Sequence, residues 1–311
     1  MTQIVNKVRG KVSNDLEINI QYEDQKDNEW KSVFNHALGY KTVTDAYGNL
    51  LKSPRVGDNS GVFVNACGVG FHSQAYPSNT VDLGVSFTAM HWLSKGPNSM
   101  KNTEFLHAAN TDVEQSNSGA GSDEKLQASK DWKSILTARS KELRPGGRMV
   151  IVNFCKSKEG YYLGNTDIGV SMWDSFKSAW YKLHEDGLID DEEKLGISFP
   201  SYYRSTDECI EGVNEVQGLK VIDCTERVVR CPYREEWVSG KSKRTAREHA
   251  ENYVPTTRTW SESTFKAALK DTRDKKAIME KFWNNYVDLV EANPDQHGMD
   301  YVHTYLVIEK Q

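Results

Sequence analysis

Apolar residues along this chain switch repeatedly between a spacing of two and a spacing of three to four. That pattern predicts strands alternating with helices. Residues 2–12 read as the end of a helix. Leu16-Glu17-Ile18-Asn19-Ile20-Gln21-Tyr22 alternates as a strand and runs into Glu23-Asp24, which places carboxylates at the carboxyl edge of a sheet. Trp30, Val33, Phe34, Ala37 and Leu38 follow at helical spacing, with Asp27 or Asn28 as the expected N-cap. Gly48, Pro54, Gly57 and Asn59 make residues 40–60 mostly loop. Val62-Phe63-Val64-Asn65-Ala66 reads as a short buried strand, followed by a loop through Gly68 and Gly70. Val81, Leu83, Val85 and Phe87 alternate into Met90-His91-Trp92.

Residues 110–124 are rich in Ser, Gly and Asn and read as a connection. A helix is expected to open at Ser129 and Asp131 and to run through Trp132, Ile135, Leu136, Arg139 and Leu143. Pro145-Gly146-Gly147 should stop it, and residues 148–154 form the next strand. The second half is more helical. Met172, Trp173, Phe176, Trp180 and Leu183 form one aromatic stripe; Ile278, Phe282, Tyr286 and Leu289 form another. Between them Leu219-Lys220-Val221-Ile222 and Val228-Val229 read as strands, and residues 301–308 as the last one. The order is that of an α/β fold without internal repeats.

The 311 residues leave room for one large domain or two smaller ones. With 38% hydrophobic and 27% charged residues the chain reads as globular. A net charge of −5 argues against a general nucleic-acid binder, and Lys241, Lys243, Arg244 and Arg247 read as a solvated helix face. No apolar run approaches the roughly 18–20 residues of a membrane span, and the first residues carry no signal-peptide core. Cys67, Cys155, Cys209, Cys224 and Cys231 are odd in number and form no CxxC pair, which fits reduced thiols in a cytoplasmic protein and no metal site. Neither a GxSxG elbow, nor a P-loop, nor HExxH is present, so hydrolase, nucleotidase and zinc-protease readings have no support.

Tyr76-Pro77-Ser78-Asn79-Thr80 and His91-Trp92-Leu93-Ser94-Lys95-Gly96-Pro97 carry the most chemistry. An adjacent imidazole and indole offer two directional donors beside an apolar wall, which suits a small carboxylate. Together these segments resemble the F-P-x-N-[ST] … [HM]-W-L-S-x-x-P block of the SABATH carboxyl and N-methyltransferases, the family of salicylate and jasmonate methyltransferases. Further matches follow in order: Asp24 with Asn28-Glu29-Trp30, Lys130-Asp131-Trp132, Gly146-Gly147-Arg148-Met149-Val150, Met172-Trp173, and Asp186-Gly187-Leu188-Ile189-Asp190. The motifs are specific in combination and weak singly.

The resemblance implies a class I methyltransferase (Rossmann-like) α/β core with a helical cap, using S-adenosylmethionine and acting on the carboxylate of a small organic acid. Residues 1–156, with 216–230 and 299–311, would form the core; 157–215 and 231–298 would form the cap. Asp24 would bond the ribose, with Gln25, Gly70 and Phe71 around the adenine. His91 and Trp92 would hold the carboxylate, with Met172, Trp173, Thr257 and Tyr301 lining the rest of the substrate pocket. No side chain is needed as a catalytic acid or base, because a carboxylate is already ionised near neutral pH. Homodimers are common in the family. The sequence departs from the family in two places. Thr88 stands where a tyrosine is expected, and residues 1–311 contain no counterpart of the glycine-rich loop on the first strand, so a core missing that strand is expected. An inactive binding or dimerisation module, or a nitrogen methyltransferase, are the alternatives. From the residues alone, Asp24 also reads as a solvated turn acid, Phe71 as a loop anchor, and His91-Trp92 and Met172-Trp173 as core packing.

Overall fold

The computed structural model of the chain describes residues 2–39, 42–44, 50–52, 61–96 and 120–311. They separate into two compact units, Met1–Pro77 and Ser78–Gln311.

The first unit contains α1 (Thr2–Lys11), β1 (Ile18–Glu23), α2 (Trp30–Ala37), β2 (Thr42–Thr44), β3 (Leu50–Lys52) and β4 (Val62–Cys67). β1 and β4 pair in parallel, Ile18 opposite Val62 through to Glu23 opposite Cys67; β2 and β3 form a short antiparallel hairpin inside the stretch read as mostly loop. The unit's apolar core is small: Val5 and Ile20 are buried, with Ile18, Tyr22 and Val62 packed on them. The cap of α2 falls at Glu29, not at Asp27 or Asn28, and its carboxylate accepts from the Ser32 N–H at 2.7 Å. Asn28 is already committed: its amide donates to Asp24 and its carbonyl oxygen accepts from the Glu29 N–H.

The second unit runs β5 (Val81–Phe87), α3 (Ala120–Glu142), β6 (Leu143–Phe154), α4 (Met172–Glu185), α5 (Asp191–Leu195), α6 (Thr206–Asn214), β7 (Leu219–Val229), α7 (Pro232–Val238), α8 (Ala246–Ala268), α9 (Lys275–Ala292) and β8 (Tyr301–Lys310). Its sheet has the order β5-β6-β8-β7, with β5 parallel to β6 and β8 antiparallel to both neighbours. Among the described residues β1 has β4 as its only strand partner and β5 has only β6. Each strand therefore leaves one edge without a strand partner among the described residues. On β5 this goes with exposure of large apolar side chains, Leu83 at 44% and Phe87 at 64%.

Three local expectations change. Residues 120–124 are helical, because α3 begins at Ala120, well before Ser129; residues 110–119 lie outside the described residues. The segment ahead of Ser129 contains Ala, Glu, Lys, Leu and Gln, all good helix formers, and Ala128 is buried with Leu93 and Tyr202. Pro145-Gly146-Gly147 does not end a helix but loops out within β6: Val81 pairs with Leu143, and the next pair is Leu83 with Arg148. Glycine is required there, because a Cβ on Gly147 would lie 2.8 Å from the Arg144 carbonyl oxygen. The two strand-like runs at 219–222 and 228–229 are one strand, β7, with a register shift between Val221 and Asp223.

α4, α8 and α9 pack around Phe176, which has no exposed surface and meets Phe265 at 5.3 Å and Tyr286 at 5.4 Å, both edge to face. Such aromatic contacts add to burial, the main stabilising term. α6 lies so close to α3 that a Cβ on Gly212 would meet the Trp132 ring at 2.2 Å. That ring cannot move aside freely. It is buried, its indole N–H donates to the Cys209 carbonyl at 3.3 Å, and the Arg204 guanidinium lies over it at 5.1 Å. Gly212→Ala should therefore destabilise the protein by about 1–3 kcal/mol, against the roughly 1 kcal/mol that helix propensity alone favours alanine. Denaturant unfolding of the two proteins measures the sign directly.

Candidate active site

The turn after β5 is fixed from both sides. Thr88 has φ of 52°, a left-handed conformation unfavourable for a β-branched residue, and its N–H donates to the Val152 carbonyl on β6 at 2.6 Å. The Met90 N–H donates to the buried Asn153 side chain at 3.1 Å. The Tyr202 N–H donates to the His91 carbonyl at 2.9 Å, and the Leu93 N–H to that of Pro200 at 2.8 Å. Asp131 on α3 accepts from the Ser94 N–H and hydroxyl at 2.8 and 2.7 Å. Arg204, itself buried, donates to the carbonyls of Met90 and Ala128 at 3.0 and 2.6 Å. His91 and Trp92 thus sit on a rigid support, as a binding group must.

Around them is an aromatic enclosure. The His91 ring centroid is 5.0 Å from that of Trp92, 5.0 Å from Phe154 and 5.8 Å from Tyr203. Phe154 in turn meets Tyr301 at 5.3 Å and stacks on His303 at 5.2 Å. His91, Tyr203 and His303 are buried, whereas Trp92, Phe154 and Tyr301 are only half-buried and form its accessible side. Burial, then the nearby Arg204 guanidinium and His303, hold the His91 imidazole down at about 3; burial alone holds His303 at about 4. Both rings are neutral near pH 7. The His91 Nδ1 and both His303 nitrogens are buried without a hydrogen-bond partner. Such an arrangement can accept a planar apolar body and offer it neutral polar contacts.

The remaining residues expected in the pocket divide. Tyr301 lies in the enclosure; its position is set by the preceding Asp300, which is buried and accepts from the Cys231 N–H, the Thr166 hydroxyl and Arg230, each at 2.8 Å. Met172 and Trp173 start α4 inside the large apolar core, where the Trp173 indole N–H donates to the Leu163 carbonyl at 2.8 Å. Thr257 is fully buried on α8, and its hydroxyl donates to the Val254 carbonyl at 2.8 Å. Phe154, Tyr203 and His303 carry no signal in the motifs. The alternation Tyr301, His303, Tyr305 along the last strand is the trace that could have revealed His303, and Asp131 stands within a quoted motif to which no role attached.

In the first unit, Asp24-Gln25 and Gly68 to Phe71 leave the carboxyl ends of the adjacent parallel strands β1 and β4, the crevice where α/β sheets bind ligands. The Asp24 N–H donates to the Cys67 carbonyl at 3.2 Å. Asp24 and Gln25 are exposed; the Asp24 carboxylate accepts from the Gln25 N–H at 2.7 Å and the Asn28 amide at 3.0 Å, with lone pairs left over. A Cβ on Gly70 would meet nothing within 4 Å, and the half-buried Phe71 ring lies 4.3 Å from that of His72. An exposed acid, an open glycine and an aromatic face suit a ribose and an adenine. Among the described residues no group of three His, Cys, Asp or Glu is placed to hold a metal, and no helix is long and apolar enough to cross a membrane.

The family model for SAM dependent carboxyl methyltransferases matches residues 1–311. Gibberellic acid methyltransferase 2 of Arabidopsis thaliana is 25% identical over 55% of this chain and 46% of its own length. Probable 7-methylxanthine methyltransferase 2 of Theobroma cacao is 28% identical over 68% of this chain and 54% of its own. The chain thus spans about half the length of these curated relatives. The structure of loganic acid methyltransferase with SAH superposes with a TM-score of 0.72 at 17% identity, covering 100% of this chain and 80% of that one. That likeness is one of fold and agrees with the α/β class expected.

The buried histidines set a pH dependence. In the unfolded chain a histidine takes up a proton near pH 6.5, while His91 and His303 stay neutral in the fold down to about 3 and 4. The unfolded state therefore binds more protons as pH falls below about 6.5, and stability declines from there toward the folded values. Each ring adds a slope of about 1.4 kcal/mol per pH unit. His91→Gln and His303→Gln should each flatten the stability profile between pH 6.5 and 5, as measured by urea unfolding across that range.

Proposed function

This chain belongs to the S-adenosylmethionine-dependent carboxyl methyltransferase family, and on that premise we propose that it methylates the carboxylate of a small organic acid held by His91 and Trp92. The observation that carries the reading is the fixed His91-Trp92 turn opening on an aromatic enclosure. Asp24, Gln25, Gly70 and Phe71 would hold S-adenosylmethionine, which when bound supplies an electrophilic methyl group on a sulfonium. His91, Trp92 and Tyr301 would face the acid, with Met172, Trp173 and Thr257 shaping the pocket from behind. We read residues 1–156, 216–230 and 299–311 as the catalytic core and 157–215 and 231–298 as its cap, in a cytoplasmic homodimer.

The chemistry asks little acid–base work of these residues. A carboxylate has a reference pKa of about 4 and is a nucleophile as it stands. The protein has to orient it and keep water away. A neutral His91 beside it supports this task, because a charged imidazolium would pair with the carboxylate and blunt its attack. Trp92 adds a donor on a flat apolar wall. A ring-nitrogen substrate is the second reading, favoured by the likeness to a probable 7-methylxanthine methyltransferase.

Transfer of labelled methyl from S-adenosylmethionine to a panel of carboxylic acids and ring-nitrogen compounds tests the reading. Ester formation is expected; transfer to nitrogen alone would replace it with the second reading. Absence of calorimetric binding of S-adenosylhomocysteine at millimolar concentration would favour an inactive module. Asp24→Ala should weaken that binding by about tenfold or more, the scale of a lost hydrogen bond to a charged group. Trp92→Phe, which keeps the ring but removes the N–H, should lower kcat/KM for acids by about 5- to 100-fold.

A further inference from the structure

We propose that His303 is a specificity-determining residue of the acid pocket, pairing through its imidazole with a hydroxyl or carbonyl oxygen carried on the hydrocarbon part of the acid. The inference rests on the acid-methylating reading and deepens it. His303 is 7% exposed, and neither ring nitrogen has a partner among the described residues. Leaving a buried polar group unpaired costs about 1–3 kcal/mol, so two such atoms in one ring mark a place where a partner belongs.

Among the described residues nothing around it offers a substitute. Its register neighbours in the sheet are Phe154 on β6 and Arg227 on β7. Phe154 brings only a ring face, and the Arg227 guanidinium lies over Tyr305 at 5.7 Å. Tyr301, on the same strand face, meets it ring to ring at 5.3 Å.

Its place explains which part of the acid it would read. His303 and His91 contact the same Phe154 ring, at 5.2 and 5.0 Å. His303 is therefore one phenyl ring beyond the group assigned to the carboxylate. A carboxylate held at His91 and Trp92 leaves the ring or chain of the acid to extend along Phe154 toward His303. Held neutral by burial, the imidazole presents one donor and one acceptor, which matches a hydroxyl in both roles. A purely hydrocarbon acid would leave both nitrogens unpaired, and sites of that kind discriminate strongly against the analogue lacking the polar group.

The test uses calorimetric titration of the chain, saturated with S-adenosylhomocysteine, with benzoate and with 3- and 4-hydroxybenzoate. One hydroxybenzoate should bind about 10- to 100-fold more tightly than benzoate. His303→Phe should bring that preference to within about twofold, and His303→Gln should restore part of it. In the unaltered protein, the imidazole nitrogen resonances of His303 should move on adding the preferred hydroxybenzoate and stay in place with benzoate. Acid binding with no hydroxyl preference, a preference that survives His303→Phe, or unmoved His303 resonances would overturn this inference and leave the acid reading intact. Failure of the unaltered protein to bind any of the three acids would overturn both.

Discussion

A guanidinium taken out of water into a protein interior carries a desolvation cost of several kcal/mol unless its hydrogen-bonding directions are met. Arg204 meets that condition mainly with main-chain carbonyls, those of Met90 and Ala128, and by lying against Trp132 and Tyr202. Because a carbonyl cannot swing like a side chain, the ion dictates where three separate stretches of backbone lie. It ties the turn after β5 to α3 and to the segment ahead of α6. The same charge lowers the proton affinity of His91. One buried cation thereby fixes the position of the candidate substrate group and helps keep it uncharged.

That neutrality matters for the chemistry proposed. A site that recognises a carboxylate through a salt bridge gains affinity by damping the oxygen it must use as a nucleophile. Neutral donors in an aromatic surround hold the anion less strongly in its ground state and leave its lone pairs more available, the differential effect that lowers a barrier. The enclosure of Trp92, Phe154, Tyr203 and Tyr301 adds water exclusion and a flat surface, without placing a formal charge next to the reacting atoms.

How much of this the sequence disclosed depended on whether the signal was local. Strands β1, β4, β5 and β8 and helices α2, α4 and α9 follow from apolar period, since the residues that make each element lie within a few turns of one another. The acid at the end of β1 and the His91-Trp92 pair were legible from motif and position. Phe154, Tyr203 and His303 were not: they come together only because the segment before α6 and β8 converge on β6 from 49 and 149 residues away. The looped-out Pro145-Gly146-Gly147 misled for a related reason, because a turn signature says that the chain bends and not whether a strand resumes on the same edge. The cap of α2 moved by a residue because Asn28 had a better partner in Asp24.

The position of β8 has a consequence for how the second unit comes to be folded. It lies between β6 and β7 in the sheet, yet follows both in the chain. Until it arrives, β7 has no strand partner and β6 has only β5, and the intervening 146 residues from Cys155 to Asp300 must be accommodated first. Such late closure of a central strand implies high contact order and slow folding, with two unsatisfied apolar edges exposed in the meantime. Tyr301 and His303 ride on that strand, so the face they contribute cannot form until β8 has docked between β6 and β7, and a chain caught before it would have its helices without that face.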